Sequence, residues 1–195
     1  MSAEVLLVRH TAVALAWRGR CYGASDVPLS RQGRADTIAL AAVLAERNPV
    51  WVVHSGLART RILAERIARA CGCPTGEDRG WRERDFGSWE GQRWTAIYRA
   101  TGNAMDGMID TPDSFRPGGG ETTFELADRV ALARQRLPGG RGIVVTHGGP
   151  IAALIGRDRG ALATDWPALV PPCGGSVVMP GEWRARQDSN LRPQA

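Results

Sequence analysis

The sequence contains no lysine, although 25 of its 195 residues are basic, so each of these is an arginine. This absence excludes the chemistry of a lysine amine, both a Schiff base with a carbonyl substrate and a GxxxxGK[ST] phosphate loop. Any anion that the chain binds must therefore be held by arginine, histidine or backbone N–H groups.

Cysteine is also scarce, with four residues scattered along the chain. They are too few and too far apart for a disulfide framework. Cys71-Gly72-Cys73 has no histidine or second cysteine pair beside it for a zinc site. We therefore expect reduced, buried thiols and no zinc site among them, and no motif of the chain predicts a cofactor.

Long apolar stretches are missing as well, since none approaches the roughly 20 residues that cross a bilayer. At the N-terminus, Glu4 leads directly into a strand-like segment, without the basic region and long apolar core of a signal peptide. These features predict a soluble cytoplasmic protein with no membrane partner.

The composition itself, 43% hydrophobic and 23% charged, suits one globular domain, which we place at residues 1–183. The polar segment 184–195 shows no periodicity and is predicted to be a disordered tail. The net charge of +5 is compatible with nucleic-acid binding, but the arginines form no dense run and no aromatic ladder lies among them. Solvated helix faces explain the charge better, so we predict no nucleic-acid partner.

Short apolar runs rich in β-branched residues alternate with helical patterns along the chain. The predicted strands are Val5–Val8, Val50–Val53, Gly142–Thr146 and Ser176–Met179. The predicted helices lie at residues 30–47, around 63–70, near 93–100, and at 122–137 and 150–155. This alternation favours an α/β fold with a mostly parallel sheet flanked by helices on both faces.

Local signals add detail to these elements. Thr122-x-x-Glu125 has the spacing of a capping box and predicts the start of a helix. The irregular segment 75–120, rich in tryptophan, glycine and charge, is interpreted as an insertion over the sheet and its active site. The predicted apolar face of the first helix consists of Ala35, Ile38, Ala39, Ala42 and Val43.

All three histidines of the chain, His10, His54 and His147, stand where predicted strands end. Ligands of an open parallel α/β sheet bind beyond the carboxyl ends of its strands. Arg9 stands beside His10, and Arg59 falls one turn into the helix that follows His54. This coincidence predicts a functional site at that edge of the sheet.

The residue types in this group support phosphoryl transfer. Neutral His10 can attack phosphorus in line, while the guanidinium groups of Arg9 and Arg59 bind the equatorial oxygens bidentately. Their positive field favours the neutral form of His10. The N-terminus of the helix near Leu57 adds a dipole that favours an anion, and His147 is expected to donate to a non-bridging oxygen.

A leaving alkoxide needs a proton donor, and the segment 81–87 offers two carboxyl groups. We prefer Glu83, because a carboxyl group packed near a bound phosphate dianion stays protonated until the leaving group takes the proton. Asp85 is the rival, and spacing alone does not separate the two.

Five motifs resemble, in order, those of the histidine phosphatase superfamily, also called phosphoglycerate mutase-like. They are Leu7-Val8-Arg9-His10, Ser55-x-Leu57-x-Arg59, Glu83-x-x-Phe86-Gly87, Gly119-Gly120-Glu121 and Val145-Thr146-His147-Gly148. The resemblance covers about residues 5–155 and implies a three-layer α/β sandwich that works without a metal. It also implies a phosphohistidine on His10, a pocket formed by Arg9, Arg59 and His147, and Glu83 rather than Asp85 as the proton donor.

One position departs from the family pattern, because Thr11 follows Arg9-His10 where the family usually has glycine. A β-branched residue there is expected to crowd the pocket or to lend it a hydroxyl. However, Arg9-His10-Thr11 followed by Gly19-x-Cys21-Tyr22-Gly23-x-x-Asp26-Val27-Pro28-Leu29 is similar to the α-ribazole phosphatase branch, which acts in cobalamin synthesis. The substrate-binding residues predicted on this basis are Arg9, Thr11, Tyr22, Gly23, Arg59, His147 and Gly148.

The resulting functional hypothesis is hydrolysis of a small phosphate monoester, with α-ribazole 5′-phosphate as the candidate substrate. Trp17, Tyr22 and Trp89 are candidates for packing against a flat base, or else core aromatics. A broad-specificity phosphatase or a phosphoglycerate mutase-like enzyme remains the alternative, but no extra basic segment grips a second acidic group. A non-catalytic module that binds a phosphorylated ligand is disfavoured, since binding alone needs no nucleophile and acid. No pattern predicts the oligomeric state.

Overall fold

The computed structural model describes residues 4–179. Its five-stranded sheet has the order β3-β2-β4-β1-β5. The strands are β1 (Val5–Arg9), β2 (Trp51–His54), β3 (Thr75–Glu77), β4 (Gly142–Thr146) and β5 (Ser176–Met179). The first four run parallel, and β5 pairs antiparallel with β1. The predicted α/β fold with a mostly parallel sheet is confirmed.

Six α-helices and several short 3₁₀ turns accompany the sheet in the described part of the chain. The helices are α1 (Arg31–Ala45), α2 (Ala58–Cys71), α3 (Trp94–Thr101), α4 (Gly107–Asp110), α5 (Thr123–Gln135) and α6 (Gly148–Asp158). The 3₁₀ turns are Leu15–Trp17, Arg79–Trp81, Gly87–Trp89, Ala104–Asp106, Pro117–Gly119 and Ala163–Leu169. Thr122 and Glu125 form the predicted capping box at the start of α5.

Alternate residues of the central strands face opposite layers of helices, which makes the fold three layers deep. In β1, Leu6 and Val8 pack in the core beneath α1 and α2, whereas Val5 and Leu7 pack in the core beneath α5 and α6. Because both faces are covered, β1 and β4 are nearly continuous apolar runs, as buried parallel strands require.

The helix α1 forms as predicted, but its predicted core face was wrong. The helix buries Gly33, Thr37, Ala41 and Leu44, and all five residues of the predicted face are exposed. A Cβ atom at Gly33 would lie 2.0 Å from the carbonyl oxygen of Ala12. Only a residue without a side chain permits this approach, so the glycine lets α1 pack directly against the segment that follows β1.

Three further elements differ from the sequence-based expectation, the first being the short helix α4, which no pattern predicted. The strand β3 was missed because its three residues are all exposed and carry no apolar signal. The helix α6 begins at Gly148, two residues before the predicted start. In residues 4–179, no helix combines the length and the apolar character needed to cross a membrane. The predicted tail, 184–195, and the last residues of the predicted domain lie outside the described part of the chain.

Candidate active site

The side chain of His10 follows β1 directly and is 2% exposed. Its Nδ1 atom lies 2.7 Å from the carbonyl oxygen of Thr11. A carbonyl oxygen only accepts hydrogen bonds, so Nδ1 carries the proton and Nε2 carries the lone pair. Nε2 makes no hydrogen bond within the described residues. The local backbone therefore selects the tautomer that a nucleophile at Nε2 needs.

The pKa of His10 is lowered to about 3, first by burial of the ring and then by the positive charges of Arg59 and Arg9. The hydrogen bond to Thr11 opposes this shift only in part. His10 is therefore neutral throughout the physiological pH range, as nucleophilic attack requires.

We predict that stability falls as the pH falls below the normal histidine pKa of about 6.5, because the unfolded chain then binds protons that folded His10 refuses. Above that pH, His10 is neutral in both states and adds no pH dependence. The loss should continue towards pH 3 and amount to at most about 1.4 kcal/mol per pH unit for this residue. Urea unfolding at several pH values measures it. His10→Asn should show a shallower loss than the wild type, and parallel losses in the two proteins would contradict the assignment.

Arg9, the last residue of β1, offers an unused donor beside His10. Its Nη1 atom donates to the carbonyl oxygen of Pro171 at 2.7 Å. Its Nε atom is buried and has no partner among residues 4–179. A buried N–H group without an acceptor is unfavourable, so this edge of the guanidinium group is suited to an anionic ligand.

Arg59 lies in the first turn of α2 and is completely buried. Its Nη1 and Nη2 atoms donate to the carbonyl oxygens of Ser25 and Gly23, at 2.6 and 2.7 Å. Its Nε atom donates to Nδ1 of His147 at 3.3 Å. Two of the Arg59 N–H groups that the sequence analysis assigned to phosphate are therefore used by the loop that contains Gly23 and Ser25.

His147 follows β4 and is fully buried, with its ring centroid 5.1 Å from that of His10. Its Nε2 atom lies 2.8 Å from the hydroxyl of Ser55, and its Nδ1 atom accepts from Arg59. Burial and the neighbouring charge of Arg59 lower its pKa well below the usual value. Both ring nitrogens are thus engaged within the protein, so neutral His147 has no N–H group free for a phosphate oxygen.

The structure separates the two candidate proton donors. Glu83 lines the cavity that contains His10 and accepts hydrogen bonds from the backbone N–H groups of Arg84 and Gly149, at 2.9 and 3.1 Å. Asp85 is exposed, accepts from the N–H group of Gly87 and does not line this cavity. Because Gly149 belongs to the first turn of α6, that helix positions the Glu83 carboxyl group at the cavity wall.

Thr11 is buried but does not line the cavity. Its hydroxyl contacts the carbonyl oxygen of Gly33 at 2.8 Å and the hydroxyl of Thr37 at 2.7 Å, both in α1. The side chain therefore neither crowds the cavity nor offers it a hydroxyl. Only the carbonyl group of Thr11 touches the site, where it holds the His10 ring.

The N-terminus of α2 is also used differently from the sequence-based expectation. The carboxylate of Asp26 accepts the N–H group of Ala58 at 2.8 Å. The N-terminus of α2 therefore binds the loop that precedes α1 instead of a ligand. The helix N-terminus that lines the cavity belongs to α6, through Gly148 and Gly149.

A cavity of about 290 Å³ brings together Arg9, His10, Arg59 and Glu83, whereas the predicted binding residues Thr11 and His147 do not line it. Six lining residues were missed by sequence reasoning: Arg20, Arg84, Phe86, Trp94, Gly149 and Val170. Arg84 and Phe86 follow Glu83 within three residues, so the Glu83 motif could have indicated them as site residues. No sequence pattern near Arg20 or Trp94 indicates a role in the site. The complete lining is Arg9, His10, Arg20, Tyr22, Gly23, Arg59, Glu83, Arg84, Phe86, Trp94, Gly148, Gly149 and Val170.

The remaining candidates divide between the cavity and the core. Tyr22 lines the cavity, and Trp17 packs edge-on against it with ring centroids 6.3 Å apart. Trp89 is buried in a small separate core. His54 lies outside the cavity, and its Nδ1 atom accepts the N–H group of Gly56. Residues 4–179 contain no group of three or more His, Cys, Asp or Glu arranged to hold a metal ion.

Comparison with known proteins gives consistent matches. The model of the histidine phosphatase superfamily (branch 1) matches residues 5–186. A glucosyl-3-phosphoglycerate phosphatase from Mycolicibacterium vanbaalenii is 31% identical over 95% of this chain and 87% of its own. A metal-independent phosphoserine phosphatase from Arabidopsis thaliana is 34% identical over 79% and 68% of the two chains. The solved structure of the α-ribazole phosphatase from Shigella flexneri has the same fold, with a TM-score of 0.79 and 20% identity over 91% and 90% of the two chains.

Proposed function

The chain belongs to the histidine phosphatase superfamily, and from this premise we propose that it hydrolyses phosphate monoesters through a phosphohistidine on His10. One observation carries the proposal: His10 Nε2 and Arg9 Nε lack a partner among residues 4–179 and belong to residues that line the same cavity. A phosphoryl group satisfies both, because phosphorus accepts the lone pair and a phosphoryl oxygen accepts the N–H group.

The chemistry proceeds in two steps. His10 Nε2 attacks phosphorus while the ester P–O bond breaks, and the Glu83 carboxyl group gives its proton to the departing oxygen. Water then attacks the phosphohistidine and loses a proton to the Glu83 carboxylate, which releases inorganic phosphate. Arg9 and Arg59 supply positive charge beside the phosphoryl oxygens, so we expect the reaction to need no metal.

We propose α-ribazole 5′-phosphate as the substrate and the cytoplasm as the site of action. Tyr22, Phe86 and Trp94 line the cavity beside the reacting groups and provide aromatic surface for a flat base. The similarity of residues 9–29 to the α-ribazole phosphatase branch supports the same substrate. The four cysteines are free thiols, which supports a reducing location.

Arg20 and Arg84 favour a second candidate, a phosphate ester whose leaving group carries a carboxylate. Both line the cavity in addition to the two arginines nearest His10. Glucosyl-3-phosphoglycerate and phosphoserine, which the names of the two relatives specify, belong to this class. The two candidates differ in the charge of the leaving group and are therefore separable by a substrate panel.

We expect phosphate release from α-ribazole 5′-phosphate in the presence of EDTA, with kcat/KM about tenfold or more above that for the carboxylate esters. The panel includes glucosyl-3-phosphoglycerate, phosphoserine, 3-phosphoglycerate, nucleotides and sugar phosphates. A preference for the carboxylate esters would replace the first substrate with the second. Isomerisation of 3-phosphoglycerate would indicate a mutase, activity lost in EDTA would contradict metal independence, and no release from any ester would contradict the phosphatase proposal.

A further inference from the structure

A chain of hydroxyl groups lies behind His147, away from His10. The Nε2 atom of His147 lies 2.8 Å from the Oγ atom of Ser55, which lies 2.8 Å from the Oγ1 atom of Thr60. That hydroxyl lies 2.8 Å from the carbonyl oxygen of Leu57. The side chains of His147, Ser55 and Thr60 have no exposed surface.

Only one direction of donation satisfies every contact in this series of hydrogen bonds. The carbonyl oxygen of Leu57 can only accept, so Thr60 donates to it and Ser55 donates to Thr60. The Oγ atom of Ser55 then accepts the proton of His147 Nε2.

The contact of His147 with Arg59, at the other end of this series of hydrogen bonds, requires the same direction of donation. The Nε atom of Arg59 can only donate, and it lies 3.3 Å from Nδ1 of His147, which must therefore carry a lone pair. The reverse direction would bring two N–H groups face to face inside a buried site. The tautomer of His147 is thus determined twice, by Leu57 and by Arg59.

We propose that Ser55 and Thr60 are positioning residues of the active site, which hold His147 in the Nε2–H tautomer and thereby keep its Nδ1 atom as the acceptor that orients Arg59. This inference rests on the proposed function for its catalytic consequence. Arg59 and His147 both lie next to His10, so a ring with the opposite tautomer would push the guanidinium group away from the phosphoryl site. Ser55 and Thr60 touch no reacting atom in this scheme.

The tautomer is measurable in the resting protein by the ¹⁵N chemical shifts of the imidazole nitrogens. Since the chain has three histidines, the spectrum contains three rings, and His10→Asn and His54→Asn each remove one and leave His147 assigned. We expect a protonated Nε2 and an unprotonated Nδ1 for His147 in the wild type. A protonated Nδ1 would overturn the proposal.

Thr60→Val and Thr60→Ser form a matched pair, because valine keeps the volume without the hydroxyl and serine keeps the hydroxyl. In Thr60→Val, the Ser55 proton loses its acceptor and competes for the lone pair of His147 Nε2, and Arg59 alone still favours the Nε2–H tautomer. We expect the Nδ1–H tautomer to appear and kcat/KM to fall about tenfold, the effect of one misplaced hydrogen bond. Thr60→Ser should resemble the wild type in both measurements.

Ser55→Ala removes the next hydroxyl and provides a second variant if Thr60→Val does not fold. In Ser55→Ala, His147 Nε2–H loses its acceptor while Arg59 still favours the same tautomer, so the expected effect is a fall in kcat/KM. Wild-type ring shifts in folded Thr60→Val, or wild-type kcat/KM in either folded variant, would overturn the proposal. Because the spectrum is recorded without substrate, the two proposals fail separately: an inactive wild-type protein with the expected tautomer would refute the phosphatase function while the positioning of His147 stands.

Discussion

His10→Asn should reduce phosphatase turnover by about 10³-fold or more, because it removes the atom that attacks phosphorus. The asparagine amide can still donate to the carbonyl oxygen of Thr11, as Nδ1 of His10 does in the structure. The fold is therefore expected to survive the change. Steady-state phosphate release from the best substrate of the panel, with circular dichroism as the check on folding, measures the effect.

A matched control exists in His54→Asn, since His54 ends another parallel strand of the same sheet but lies outside the cavity. Its Nδ1 atom accepts a backbone N–H group, a bond that the asparagine oxygen can replace. The control should keep most of the activity. A second readout is the intermediate itself: brief mixing with substrate should add one phosphoryl group to the wild type and none to His10→Asn. Near wild-type turnover in His10→Asn would refute the phosphohistidine mechanism.

Glu83→Gln should produce the second large effect, and its size should depend on the leaving group. We expect kcat for an alkyl phosphate to fall about 10²-fold or more, the usual contribution of general acid catalysis, because the glutamine amide cannot give a proton to the departing alkoxide. For p-nitrophenyl phosphate the loss should stay below about tenfold, since this leaving group needs little protonation. The two rates, measured on the same preparation, give the ratio that tests the role.

Asp85→Asn is the control for this experiment, because Asp85 lies two residues away on the exposed side of the same segment. It should retain nearly full activity on both substrates. Glutamine can accept only one of the two backbone N–H groups that Glu83 accepts, so thermal stability is recorded beside the rates. Equal losses on both substrates would point to binding or positioning by Glu83 instead of proton donation.

Much of the fold could be predicted because the strongest local signals belong to the buried sheet. The central strands are short, apolar and β-branched, and parallel strands covered on both faces require that composition. The face of α1 could not be read in this way, since apolar residues occur on both sides of that helix. The buried side carries Gly33, and its close approach to Ala12 is a tertiary contact that no apolar pattern predicts.

Part of the candidate site could likewise be predicted from the sequence, and part required the tertiary structure. That His10 and His147 meet follows from the sequence, because both stand at the carboxyl ends of parallel strands that prove to be neighbours. Spacing alone left Glu83 and Asp85 open, and only the family resemblance preferred Glu83. The tertiary structure supplied the physical reason, because contact with α6 holds the Glu83 carboxyl group at the cavity. The catalytic roles of these side chains stay predictions until the variants are measured.

By itself, the sequence determined the fold class, the family and the edge of the sheet where the reactive side chains collect, since periodicity and strand ends are properties of neighbouring residues. The tertiary structure alone decided which donor meets which acceptor. Ser55 contacts His147 across 92 positions of the chain, and Arg59 reaches Ser25 across 34. These pairings depend on how distant segments pack, so they set the tautomer of His147, the use of Arg59 and the orientation of Thr11, none of which spacing along the chain can encode.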